Sequence, residues 1–127
     1  MAAKITGLQD GIVTLVVSGH LTQRELAAAQ AEAASLIRKA GKIRFLVLAE
    51  GFEGWERGGQ WSDFSFQEAH DADIERMAIV GEEQWRDLTL LFTSQGLRPF
   101  PIEYFPPARL AEARAWLVAG QGMQSGK

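Results

Sequence analysis

The sequence predicts an α/β fold: a mostly parallel five-stranded sheet with an N-terminal antiparallel strand and about four helices. Three observations carry this. Apolar runs rich in β-branched residues alternate with segments whose apolar residues recur every three or four positions. An Asp10-Gly11 step separates the first two runs, and Asp-Gly is a hairpin signal. The run from Ile43 to Ala49, IRFLVLA, is apolar almost throughout, as an interior parallel strand requires.

The elements follow in order. Residues 4–8 form a short strand before the Asp10-Gly11 turn. Ile12 to Ser18, IVTLVVS, is the second strand. Val13, Leu15 and Val17 share one face; Ile12, Thr14, Val16 and Ser18 share the other, which is only partly apolar and so only partly buried. Gly19-His20-Leu21 is a short link. Thr22 opens a helix, with Glu25 three residues on as its capping-box partner. Leu26, Ala29, Ala33, Leu36, Ile37 and Ala40 form its inward stripe, small enough for close approach to a sheet, and Gly41 stops it.

After the third strand, Glu50 to Gln60 reads as a loop carrying Gly51, Gly54, Gly58 and Gly59. Residues 61–73 hold a short helix capped by Ser62 or Ser65, Ser65 with Glu68 fitting a capping box, and with Phe66, Ala69 and His70 inward. Residues 75–80, ERMAIV, are the next strand. Gly81 precedes a helix begun by Glu82 and Glu83, whose stripe is Trp85, Leu88 and Phe92, widened by Leu91. Ser94-Gln95-Gly96 breaks the chain. Pro99 and Pro101 hold Phe100 extended, residues 102–105 form the last strand, and Pro106-Pro107 starts the last helix. Leu110, Ala113, Leu117 and Trp116 face inward, and Gly120 ends it. Residues 1–120 are expected to form one domain and residues 121–127 a flexible polar tail.

Composition removes several functions. There is no cysteine, so disulfides and thiolate metal sites are excluded. Net charge is -3 without a basic tract, which argues against a nucleic-acid partner. Arg38, Lys39, Lys42 and Arg44 read instead as favourable charge at a helix C-terminus and the turn after it. No apolar stretch approaches the roughly 18 residues of a membrane span. The start, MAAKITGLQDG, lacks a secretory signal, and a cytoplasmic location is expected. No phosphate-binding glycine loop, dinucleotide fingerprint or nucleophile elbow is present, and no cofactor is expected.

What remains is the stretch from Gly51 to His70. Phe52, Trp55 and Trp61 form a pocket wall, a partner-binding patch, or simple packing of the loop on the sheet edge. His70, Asp71 and Asp73 have donor types suited to a metal, but the spacing also fits a locally bonded histidine beside solvated carboxylates. An acid–base enzyme would need His70 close to Asp63 or Glu53. Arg76, just inside the fourth strand, neutralises a carboxylate such as Glu50 or Asp63, or contacts an anion.

The chain also resembles the SpoIIAA-like family of small bacterial STAS-type proteins. The resemblance rests on Gly51, Phe52, Gly54 and Trp55; on Trp61, Asp63, Phe66 and His70; and on Arg76, Ala78, Val80, Gly81 and Trp85. Pro99-Phe100, Tyr104-Phe105 and Ala113-x-x-Trp116-Leu117 extend it across residues from about 4 to 119. It implies a β/α superhelix with an added N-terminal strand. Distant relatives, the anti-sigma-factor antagonists, bind a switch kinase and are phosphorylated on a serine in a D-S-x-G-type turn after the third strand. Here that turn reads Ala49-Glu50-Gly51-Phe52, without serine or threonine. Structural relatives that carry apolar ligands keep a lipid-like ligand open by analogy of fold.

These readings converge on a non-catalytic cytoplasmic binding or regulatory domain. It would recognise a protein or a small apolar or anionic ligand through residues 51–70. The expected binding residues are Phe52, Trp55, Trp61, Asp63, Phe66, His70 and Arg76. The alternatives are a carrier of a small apolar or lipid-like ligand and a self-associating protein that forms a homodimer through its edge strands.

Overall fold

The computed structural model describes residues 3–56, 69–93 and 98–125. Five strands form one sheet in the sequential order β1-β2-β3-β4-β5. They are β1 (Ala3–Gln9), β2 (Ile12–Leu21), β3 (Ile43–Trp55), β4 (Ile74–Val80) and β5 (Ile102–Phe105). β1 is antiparallel to β2, and the remaining neighbours are parallel. The hairpin turns at Asp10 and Gly11, with φ of 55° and 79°. Both central residues in the left-handed region match the right-handed twist of the flanking strands.

Three α-helices lie among the described residues: α1 (Gln23–Ala40), α2 (Arg86–Phe92) and α3 (Leu110–Ser125). About four were expected. The other was expected over residues 61–73, most of which lie outside the described residues. What is described there is a helical Ala69–His70 followed by a 3-10 turn, Asp71–Asp73.

The start of α1 follows the expected chemistry. Thr22 Oγ1 accepts the Glu25 N–H at 3.1 Å and donates to Glu25 Oε1 at 2.9 Å. Its end is closed by Gly41, at φ 82°, whose N–H donates to the Ile37 carbonyl at 2.7 Å.

Residues alternate between two cores across the sheet. Phe45 and Val47 of β3 join α1's Ala29, Ala33 and Ile37, together with Ile5, Val13, Val17, Met77 and Ile79. Leu46 and Leu48 join α3's Ala113 and Leu117, together with Ile12, Ala78 and Val80. α3 packs mainly over β3, β4 and β5, with Ile12 of β2 at the edge of its core. On the far side of the hairpin, Lys4 and Thr6 are therefore exposed, and Thr14, Val16 and Ser18 half-buried. That is the partly apolar face the sequence showed.

Several boundaries differ from expectation. β2 continues through Gly19-His20 to Leu21, and β3 continues to Trp55, where a link and a loop were expected. The two extensions pair with each other: Gly19 with Phe52, His20 with Gly54, Leu21 with Trp55. The register shifts beside Gly19, and Gly51 and Gly54 take φ of 64° and 110°, so the glycines bend a paired strand. α2 begins at Arg86, after a 3-10 turn at Glu83–Trp85. This changes the phase of its stripe: Leu88 and Leu91 face outward. α3 does not stop at Gly120 but runs on to Ser125, because an interior glycine weakens a helix by only about 1 kcal/mol.

Arg44 is no part of the turn after α1. It lies in β3, 4% exposed, with Nη2 2.8 Å from Glu75 Oε1. Burial of a guanidinium needs such a partner.

Candidate functional site

The extended ends of β2 and β3 gather four aromatic rings. Phe52 meets Trp55 edge-on at 5.0 Å between centroids and Trp85 at 5.2 Å. Trp55 meets Trp85 at 6.1 Å and Phe92 at 5.1 Å. Edge-to-face rings at these separations attract beyond the area they bury. Phe52 is 7% exposed and forms the base of the cluster; Trp55, Trp85 and Phe92 are half-buried. Gly54 allows the close packing. A Cβ there would lie 3.4 Å from Trp85 Cη2.

One polar atom in this cluster has no counterpart. Trp85 Nε1 is buried without a hydrogen-bond partner. An indole N–H can only donate, and one kept from water normally finds an acceptor.

Next to the cluster, the chain leaving β4 is clamped to β5. Tyr104 Oη donates to the Glu82 carbonyl at 2.8 Å. A Cβ on Gly81 would sit 2.5 Å from Tyr104 Oη, so only glycine fits under the phenol. Burial pushes the Tyr104 hydroxyl up to about 12, with the Glu83 and Glu82 carboxylates adding to the effect.

The other candidate residues are dispersed. Glu53, on β3, lies beside His20 of β2, with 3.5 Å between Oε1 and Nδ1; both are well exposed. His70 lies ahead of β4, and its Nδ1 is 4.0 Å from Asp73 Oδ2. Glu53 thus faces His20, not the His70 that an acid–base enzyme would need beside it. Trp61, Asp63 and Phe66 lie outside the described residues. Asp71, expected in solvent, is enclosed: Arg98 Nε and Nη2 reach its two oxygens at 3.0 and 2.6 Å. Arg98 Nη1 also donates to the Thr93 carbonyl at 3.2 Å. This bidentate pair joins the segments leading into β4 and β5.

Arg76 holds α3 to the sheet. Its Nη1 donates to the Trp116 carbonyl at 2.9 Å and its guanidinium stacks over that indole, 4.6 Å from the centroid. This contact with Trp116 stands where an ion pair with Glu50 was one expectation; Asp63, the other, lies outside the described residues. Glu56 Oε1 accepts the Gln23 N–H at 2.6 Å, placing a carboxylate on the first turn of α1. Among the described residues, no group of three or more His, Asp or Glu side chains could hold a metal ion. Among them, too, no helix is long and apolar enough to cross a membrane.

Sequence reasoning missed two members of the cluster, Trp85 and Phe92, which it assigned to a helix stripe. Their spacing is helical, and only the pairing of β3 with β2 brings Trp55 against them.

Comparison with known proteins agrees with this architecture. The SpoIIAA-like family model matches residues 12–118. Among curated proteins none matches. A crystal structure of an uncharacterized protein from the DUF3478 family with a SpoIIAA-like fold, from Shewanella loihica PV-4, superposes with a TM-score of 0.68. The two share 21% identity over 91% of this chain and 92% of that one. That likeness concerns the fold alone. The family match spans most of the sequence, from the second strand to the last helix, and the chain belongs to the SpoIIAA-like family.

Proposed function

We propose that the chain is a non-catalytic binding or regulatory domain acting in the cytoplasm, and that it recognises its ligand or partner at the aromatic end of β3. The observation that carries this reading is the half-buried Trp55/Trp85/Phe92 cluster with an unmatched indole N–H at Trp85. In this proposal Trp55 supplies contact area and Phe52 supports it from below. The Trp85 N–H donates to an acceptor oxygen of the bound group. Trp61, Asp63, Phe66 and His70 belong to the same proposal as residues of the stretch that follows. Arg76 is assigned to fixing α3 instead.

The unmatched donor favours a small apolar molecule with a carbonyl or carboxylate oxygen as the second, narrower reading. Native mass spectrometry of freshly purified protein tests it. The expected result is a bound mass, reduced by about tenfold in a folded Trp55→Ala variant. An equal mass on both proteins counts against the aromatic end.

A further inference from the structure

A second surface adjoins the aromatic cluster, on the outer side of α2. Leu88 is 52% exposed and Leu91 77% exposed. They are three residues apart on one helix face, so they present a joint apolar ridge. Single exposed leucines are ordinary; an adjacent pair on a short helix beside half-buried Phe92 is a patch.

The charges on the chain from Glu82 to Phe92 are acidic in balance, three carboxylates to one guanidinium. Glu82, Glu83 and Asp87 are exposed, and Asp87 precedes Leu88 and lies one turn before Leu91. The single cation between Glu82 and Phe92 is Arg86, with Nη1 3.8 Å from Glu83 Oε2. A second copy docked on the same face would set two acidic stretches against each other, and like charges across an apolar contact oppose it. An anionic surface is disfavoured for the same reason.

We propose that the outer face of α2 docks a basic amphipathic segment of a protein partner. Aliphatic side chains of that segment cover Leu88 and Leu91, and its lysines or arginines meet Asp87, Glu83 and Glu82. Leu88 and Leu91 take no part in the aromatic cluster, so each reading fails on its own variant.

The test uses the full chain and two synthetic amphipathic helices, one built of leucine and lysine and the other of leucine and glutamate. Amide chemical shifts are followed during titration. The leucine–lysine peptide is expected to shift Asp87, Leu88 and Leu91 more than Trp55 and to bind more weakly as salt rises. The leucine–glutamate peptide is expected not to bind. Leu88→Ser/Leu91→Ser, with unchanged circular dichroism, is expected to weaken binding about tenfold or more. Asp87→Lys, which leaves the apolar ridge intact, should also weaken it. Equal binding of both peptides, binding that the double variant retains, or no binding at all overturns the proposal. So does a concentration-dependent dimer that the double variant abolishes, which would assign the ridge to a second copy.

Discussion

Arg76 and Trp116 are joined twice: the guanidinium donates to the Trp116 carbonyl at 2.9 Å and lies 4.6 Å from the centre of its indole ring. The pair fastens the C-terminal helix to β4, on the face opposite the core that α1 covers. A charged hydrogen bond contributes about 1.5–3 kcal/mol and a partly desolvated cation–π contact about 1. Arg76→Met should therefore lower unfolding free energy by roughly 2 kcal/mol in urea titrations, because methionine retains part of the packing. It should leave binding at the aromatic end unchanged. A destabilisation near zero would mean that Ala113 and Leu117 alone hold the helix.

Tyr104 supplies a prediction in pH. It is the chain's one tyrosine, so phenolate absorbance reports it without overlap from another. Its hydroxyl should titrate near 12 in the folded protein, against about 10 for an exposed phenol. Below about pH 10 both folded and unfolded chains keep the proton, and the Tyr104 contribution to stability is intact. Between about 10 and about 12 the unfolded chain releases it first, so stability falls as pH rises. Tyr104→Phe should flatten that part of the curve. At neutral pH it should cost about 1 kcal/mol for the lost bond to the Glu82 carbonyl.

Gly81 tests the same contact sterically. Gly81→Ala places a methyl 2.5 Å from Tyr104 Oη and 3.1 Å from Ala49 Cβ. Overpacking of this kind costs roughly 1–3 kcal/mol. Combined with Tyr104→Phe, which removes the nearest atom, the penalty should shrink, giving a favourable coupling in a double-mutant cycle. Strictly additive losses would place the strain elsewhere.

The Asp71–Arg98 pair is largely withdrawn from solvent, with the two side chains 16% and 7% exposed. Arg98→Met leaves a carboxylate enclosed and should cost about 3–5 kcal/mol by chemical denaturation. Asp71→Leu/Arg98→Met removes both charges and should recover much of that loss. If the double variant is no better than the single one, the pair's value lies in fixing the segments before β4 and β5.

How far the sequence reveals this molecule depends on whether local pattern or tertiary pairing decides a feature. The Asp10-Gly11 hairpin, the Thr22 cap and the alanine stripe of α1 are local, and each is legible. So is the two-faced apolar run of β3. The extension of β3 to Trp55 is not, because Gly51 and Gly54 carry a loop signature and only the Gly19–Leu21 partner makes them strand. α2 misleads for another reason: a 3-10 turn at Trp85 alters the helical phase, and the leucines that look inward by spacing face solvent. The Arg98–Asp71 and Arg76–Trp116 contacts join residues 27 and 40 positions apart, which no local pattern reveals. Of the candidate binding residues, Phe52 and Trp55 do come together. Their companions Trp85 and Phe92 are recruited by the fold.

The central claim is that the aromatic end of β3 is a binding surface. Its most direct test is native mass spectrometry of complexes captured on the intact protein under gentle conditions, with wild type and folded Trp55→Ala side by side. The account predicts a bound mass, small molecule or protein, on the wild type and about a tenfold lower occupancy on the variant. Equal occupancy on the two, or a bare wild-type chain, would contradict it.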